Sequence, residues 1–278
     1  MQAKLNPVAG ENSPLEDGYG ARTPLADNLL NDFVQEGAAS FATFAAARGD
    51  RQERVDGVGT FTDAQSPLPF FNRAILERPI TAPRVLLDAL RGFYGAVESD
   101  GPFLLDSSWP TPDLSAHGFT LMGHPPLMWR PPNTPLPDPP AELRIVPVSD
   151  DQTAFDFEHV LAYGYPAPQL QPVTEASVLP PAARVALGWS HFVGYVGNKA
   201  VTAGSGYEGE RLVRIDNIAT LDEARGHGYG LAITAAATGV NPSKPATLIA
   251  SDLGRPIYER LGYTALLRIT YWIGMRTP

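Results

Sequence analysis

RLVRIDNIATLDEARGHGYGLAITAAATG, residues 211–239, is the stretch on which the fold turns. Its opening, RLVRIDNIATL (211–221), is rich in branched apolar residues and reads as a strand. GLAITAAATG (230–239) reads as a short helix closed by a glycine. Between them lies ARGHGYG (224–230). Glycines 226, 228 and 230 leave no β-carbon where a backbone must take a positive φ or approach a ligand. Successive N–H groups at a helix start form a nest for anions, and the helix dipole assists. A pyrophosphate is the natural guest, with Arg225 adding a charge-assisted hydrogen bond. The plainer alternative is a flexible turn.

Three nucleotide-binding patterns compete for this loop. A phosphate loop of the Walker type needs Lys-Ser/Thr after its last glycine, and Leu231-Ala232 stand there. A dinucleotide fingerprint needs G-x-G-x-x-G at the strand end, whereas the spacing is G-x-G-x-G. Asp252 lies near where a ribose-binding acid would sit, but too little chain follows for the remaining βα units. Arg-x-x-Gly-x-Gly fits without adjustment.

The surroundings read as mixed α/β. ELRIVPV (142–148) alternates as a strand, and 150–163 reads as a helix opened by Asp150 and Asp151. The proline-rich 166–181 is a loop. SHFVGYVG (190–197) and KAVTAGSGY (199–207) are strands around a Gly197-Asn198 turn. ATLIAS (246–251) is a strand, RPIYERLG (255–262) a helix, and YTALLRITYWIG (263–274) one final strand. In the first half, helices are expected over 33–49 and 82–97, and strands over 69–76 and 102–107.

PPNTPLPDPP (131–140) carries six prolines and reads as a linker. It divides the chain into 1–135 and 136–278. The halves echo one another. A shift of 144 residues lays 102–130 on 246–274, matching Ser107 with Ser251, Pro112 with Pro256, Gly118 with Gly262 and Phe119 with Tyr263. This predicts a duplicated α+β fold.

The chain has 278 residues, no cysteine and a net charge of −9. The charge argues against nucleic acid as a partner. The absence of cysteine excludes thiolate ligands and nucleophiles. The five histidines lack ligand spacing, so no metal is expected. No apolar run reaches membrane-spanning length and no leader is evident, which points to the cytoplasm. The acidity is uneven: residues 1–140 carry ten basic and seventeen acidic side chains, and residues 141–278 eleven and thirteen.

The loop resembles the pyrophosphate loop of the GNAT superfamily of N-acyltransferases, Q/R-x-x-G-x-G/A, through Arg225, Gly228 and Gly230. SDLGRPIYERLGY (251–263) is similar to that family's N-x-x-A-x-x-L-Y-x-x-x-G-F, with Tyr258, Gly262 and Tyr263 matching. Ser251 replaces the asparagine and Gly254 the alanine. The resemblance covers about residues 142–274 and implies two GNAT-like domains, each a mostly antiparallel sheet flanked by helices, the first degenerate. It implies acetyl-CoA as cofactor and transfer of its acyl group to an amine on a small molecule or peptide. Ile218, Ala219 and Thr220 would pair with the pantetheine arm. Arg225, Gly226, His227, Gly228, Tyr229 and Gly230 would hold the pyrophosphate, and Ser251 would hydrogen-bond the cofactor.

The same resemblance makes Tyr258 the acid at the leaving thiolate. Asp216 is a candidate base, placed by period-two alternation on the side of Ile218 and Thr220; a salt bridge with Arg214 or Arg211 is its equal alternative. Glu208, Glu210 and His191 are further candidates. A CoA-binding sensor or assembly module without turnover is the rival reading, and a homodimer is compatible with either.

Overall fold

The computed structural model describes residues 25–80, 82–96, 101–165 and 167–276. In chain order the strands are β1 (Arg51–Val55), β2 (Gly59–Asp63), β3 (Asn72–Leu76), β4 (Pro102–Ser107), β5 (Thr120–Gly123), β6 (Pro126–Arg130), β7 (Leu143–Pro147), β8 (Trp189–Val196), β9 (Lys199–Glu208), β10 (Val213–Thr220), β11 (Ala246–Ile249), β12 (Thr264–Arg268) and β13 (Thr270–Met275). The helices are α1 (Leu25–Arg48), α2 (Pro83–Tyr94), α3 (Asp151–Gly164), α4 (Pro181–Arg184), α5 (Tyr229–Thr238) and α6 (Arg255–Arg260).

Two sheets form, ordered β1-β2-β3-β4-β13-β5 and β12-β6-β11-β10-β9-β8-β7. All ladders are antiparallel except β3–β4 and β10–β11. A parallel pair needs a crossover, and α2 and α5 supply the two. The mixed α/β architecture of two mostly antiparallel sheets is therefore as expected.

The expected last strand is two strands. Ile269, fully buried, is the pivot between them, and its N–H donates to Pro125 O at 3.1 Å. β12 stays in the second sheet, whereas β13 crosses to the first and inserts between β4 and β5. β6 makes the reciprocal crossing and inserts between β11 and β12. Two strands thus cross the 135/136 division marked by the prolines. A single apolar run cannot show this exchange, because both strands satisfy the same pattern. The Arg276–Asp63 ion pair, wholly buried, fastens β13 to its host sheet.

The 144-residue correspondence survives in space from β4 onward. Gly118 (φ 85°) and Gly262 (φ 86°) sit at equivalent left-handed turns before β5 and β12. At the crossover helices it slips by two: α2 is capped by Ala82 and α5 by Gly228, which are 146 apart. The β1–β2 hairpin was not expected, because RQERV is polar and its central residues are exposed.

α1 belongs to the first half in sequence and packs on the first sheet, while its Phe44, Phe33 and Phe41 rings meet Trp189 and Arg214 of the second. The Trp189 indole donates to Ser40 O at 3.1 Å, and the Glu36 carboxylate accepts the Arg211 N–H at 2.7 Å. The proline segment is also tied down. Buried Arg130 donates from Nε to Leu261 O (2.6 Å) and from Nη2 to Thr134 O (2.7 Å) and Pro135 O (3.0 Å). Prolines lack N–H groups but keep their carbonyls, and Arg130 uses that of Pro135. α3 begins with a capping box, Asp150 Oδ1 accepting from Thr153 N at 2.8 Å and Thr153 Oγ1 from Asp150 N at 3.1 Å. Among the described residues no helix is long and apolar enough to cross a membrane.

Candidate functional site

The site begins with a gap between strands. β10 and β11 pair only at Val213–Ala246 and Arg214–Thr247. Beyond Thr247 their ladder ends, and the β11-facing backbone of β10 is left without a ladder partner. A bulge separates Asp216 from Ala219 in the β9–β10 ladder, with Asn217 at φ 56°. Asparagine tolerates this left-handed conformation better than most residues.

The bulge has a consequence for the expected residues. Val213 and Ile215 pack with α5 residues Ala235 and Ala237. After the bulge Ile218 joins that cluster, and Thr220 Oγ1 lies where a β-carbon on Gly230 of α5 would meet it at 3.2 Å. Arg214, by contrast, lies over the α1 rings of Phe33 and Phe41 and bonds Asp216. Asp216 therefore does not share a side with Ile218 and Thr220, as simple alternation required. One extra residue reverses the parity of everything after it.

At the head of α5, Gly228 is the N-cap at φ 82°, and no side chain caps the helix. The first-turn N–H groups of a helix have no internal acceptors, so this end suits an anion. Gly226 is also left-handed, at φ 84°. Arg225 is half-committed elsewhere. Nη2 donates to Gly164 O at 2.9 Å, Nε to Thr220 O at 3.3 Å, and the guanidinium pairs with Asp222 at 2.7 Å. It anchors the loop to the end of α3 while its side chain stays largely exposed. His227 turns its ring onto Tyr229 and is tied through Nδ1 to Arg225 O. The Tyr229 hydroxyl donates to Glu142 at 3.1 Å. Both rings thus hold loop shape.

Tyr258, on α6, is half-buried, and burial followed by the nearby Asp216 charge pushes its phenol up to about 12. Ser251 caps the turn before α6, its Oγ accepting from Gly254 N at 3.0 Å. A β-carbon on Gly254 would lie 3.2 Å from both Ser251 Oγ and Tyr258 Cε2. The glycine that departs from the family pattern thus leaves room for the cap and the phenol.

These parts open on one cavity of about 1230 Å³. Its lining runs from Gly226, Gly228 and Gly230, along β10, to Ser251 and Tyr258, and on to Arg73 and Tyr271 of the first sheet. Of the candidate bases only Asp216 lines it. Glu208 is occupied by Asn241 and Lys244, whose hydrogen bonds hold its carboxyl below the usual range. His191 is buried against Trp189 and Phe157, bonds Ser205 Oγ through Nδ1 at 2.8 Å, and is pushed down to about 4 by burial. It is a structural residue.

The sequence did not point to Arg73, Phe41, Tyr271 or His124, which also line the cavity. They reach it only because α1, β13 and the β5–β6 turn fold across the first half. Among the described residues no group of histidines and carboxylates is arranged to hold a metal ion.

The arrangement has counterparts among solved structures. A GCN5-related N-acetyltransferase from Kribbella flavida superposes with a TM-score of 0.61 over 85% of this chain and 95% of that one, at 20% identity. The fold is that of the GNAT superfamily. A tandem GNAT protein from the clavulanic acid biosynthesis pathway matches over 89% of this chain and 96% of that one, with a TM-score of 0.52 and 14% identity. A GCN5-related N-acetyltransferase from Sphaerobacter thermophilus matches over 82% and 76%, with a TM-score of 0.52 and 12% identity. No family model matches the sequence, and no curated protein matches it. The GNAT fold, in two copies that exchange a strand, thus rests on the three-dimensional comparison.

Proposed function

We propose that this chain is an N-acyltransferase whose second half binds acetyl-CoA and passes the acetyl group to an amine held between the halves. The observation that carries the reading is a juxtaposition: the β10–β11 gap, the uncapped glycine start of α5 and the Tyr258 phenol all open on the same cavity.

Residues Gly226 to Gly230 would hold the pyrophosphate, and the free edge of β10 at Ile218, Ala219 and Thr220 the pantetheine arm. Ser251 would stand beside it. Acetyl-CoA supplies the thioester; the transfer forms a C–N bond, breaks a C–S bond and leaves a thiol. An alkylammonium of pKa about 10.4 must first give up a proton. Of the candidate bases Asp216 is the one that lines the cavity, and it would take that proton. A phenol held near 12 keeps its proton at neutral pH. It is a weaker acid than a thiol of pKa about 8.5, so Tyr258 stabilises the leaving sulfur by donating a hydrogen bond; of the two protons the nitrogen loses in becoming an amide, one ends on the thiol and the other leaves through Asp216 to solvent.

The test is direct. The chain has no cysteine, so a thiol-detecting reagent reads released CoA without background. Incubation with acetyl-CoA and a panel of amines, amino acids and peptides should give acceptor-dependent thiol release. Asp216→Asn should lower that rate while acetyl-CoA affinity holds. Tight CoA binding with no release for any acceptor would favour a CoA-binding module instead.

A further inference from the structure

Two of the arginines in the cavity wall are almost wholly buried, Arg214 at 3% and Arg73 at 4% exposure. They come from different sheets, on β10 and β3, and share the ring of Phe41, at 5.1 and 4.4 Å from its centroid. An arginine cannot shed its charge, so each needs an anion.

Arg73 has one. Its Nη2 donates to the buried Asp106 carboxylate and, at 3.2 Å, to the Tyr271 hydroxyl. Arg214 is not matched in this way. Its hydrogen-bond acceptor among the described residues is Asp216, at 3.5 Å, the outer limit for such a bond. Oδ1 of that aspartate already accepts the Asn217 N–H at 3.0 Å. Among the described residues Arg214 Nε, like Arg73 Nε, is buried without a hydrogen-bond partner. Nη1 lies beside Gly37, 3.1 Å from where a β-carbon would sit. A buried guanidinium left this poorly paired is costly, and it lines the cavity where an acceptor must lie.

We infer that the acceptor amine is zwitterionic, an amino acid or a close analogue, and that Arg214 binds its carboxylate. One observation beyond the poor pairing supports this. The opposite charges of Arg214 and Asp216 stand 3.5 Å apart, close to the separation of ammonium and carboxylate in an α-amino acid. The ligand can lay its carboxylate on Arg214 and its ammonium on Asp216, which is the group proposed to take the proton. A carboxylate meets the planar guanidinium as a two-oxygen fork.

The inference rests on the acyl-transfer reading for its meaning, but its test does not. Each of the twenty protein amino acids and its carboxamide is titrated calorimetrically into the intact chain, with and without CoA. At least one acid should bind, with its carboxamide ~10- to 100-fold weaker, the loss expected for a charge-assisted hydrogen bond. Arg214→Gln should erase that difference without moving CoA affinity, and Arg214→Lys should restore part of it. Equal binding of acid and carboxamide, or no binding by any acid, would overturn the inference. So would a folded Arg214→Gln that still prefers the acid. Should that variant fail to fold, the wild-type contrast decides alone. Failure of CoA to bind would sink the acyl-transfer reading, while the acid–carboxamide contrast on the unloaded chain would still judge Arg214.

Discussion

The two crossover units of this protein, β3–α2 and β10–α5, share a topology and differ at the head of the helix. In the second, Gly228 at φ 82° caps a helix whose opening amides meet no side chain. In the first, Ala82 is the extended N-cap and Pro83 opens the helix. Proline fits that position well, because the missing N–H is one the helix could not use internally. That same N–H is one an anion nest would use. Thr81, which the 144-residue shift sets against Arg225, lies outside the described residues. The strands differ too: β3 pairs with β4 at three positions without a bulge, whereas β10 bulges and leaves β11 after two. A duplicated topology can therefore differ at the helix cap and the strand edge, the two places where an anion nest and an open backbone would form.

The comparison can be broken most sharply at the glycine head of α5. The intact chain should bind acetyl-CoA with a stoichiometry near one, and Gly228→Glu should abolish that binding. A side chain there meets the pyrophosphate, and its carboxylate repels it. The left-handed φ costs a non-glycine residue about 1–2 kcal/mol, so the variant should melt a few degrees lower yet keep its circular dichroism spectrum. A stoichiometry near two would mean the first half also binds. The intact chain is the right object, because residues 1–135 alone would lack β13 and expose the edges of β4 and β5.

Tyr258→Phe comes next. Leu114, wholly buried in the first half's core, is the residue the 144-residue shift sets against Tyr258. Removing the hydroxyl should slow turnover by roughly 10²–10⁴-fold with acetyl-CoA affinity nearly constant. A wild-type rate under conditions where chemistry limits would end the donor role.

His191 gives a smaller effect, read in stability. Its folded pKa of about 4 lies below the ordinary value of 6.5, so the unfolded chain binds the proton more readily. The stability from keeping it neutral is fully present above pH 6.5 and is lost as pH falls toward 4. The total is on the order of 3 kcal/mol. Melting temperature against pH should fall less steeply for His191→Gln than for wild type over this window. Parallel curves would contradict the assignment.

Gly254→Ala should change least. The methyl contacts at 3.2 Å fall on the Ser251 hydroxyl and the Tyr258 ring edge, both able to yield slightly. We expect a change of roughly threefold or less in turnover, since the misfit is worth under about 1 kcal/mol. A larger loss, measured as kcat, would show that the phenol tolerates no displacement.

What the sequence determined was local. Glycine at 226, 228 and 230 requires no partner to be read as a nest, because the constraint is on φ and on β-carbons. The strand before it, the helix after it and the repeat of Gly118 at Gly262 were legible for the same reason. Parity along β10 was not, since a single bulged residue at Asn217 inverted the side on which Ile218 and Thr220 lie relative to Asp216. Nor was the split of 263–274 at Ile269, because two apolar strands in different sheets present the same pattern as one. Arg73, Phe41 and Tyr271 became site residues only in three dimensions, where α1 spans both sheets and β13 exchanges with β6. Contacts between residues far apart in the chain leave no periodicity in either segment; packing alone brought Arg73 of the first sheet to the cavity.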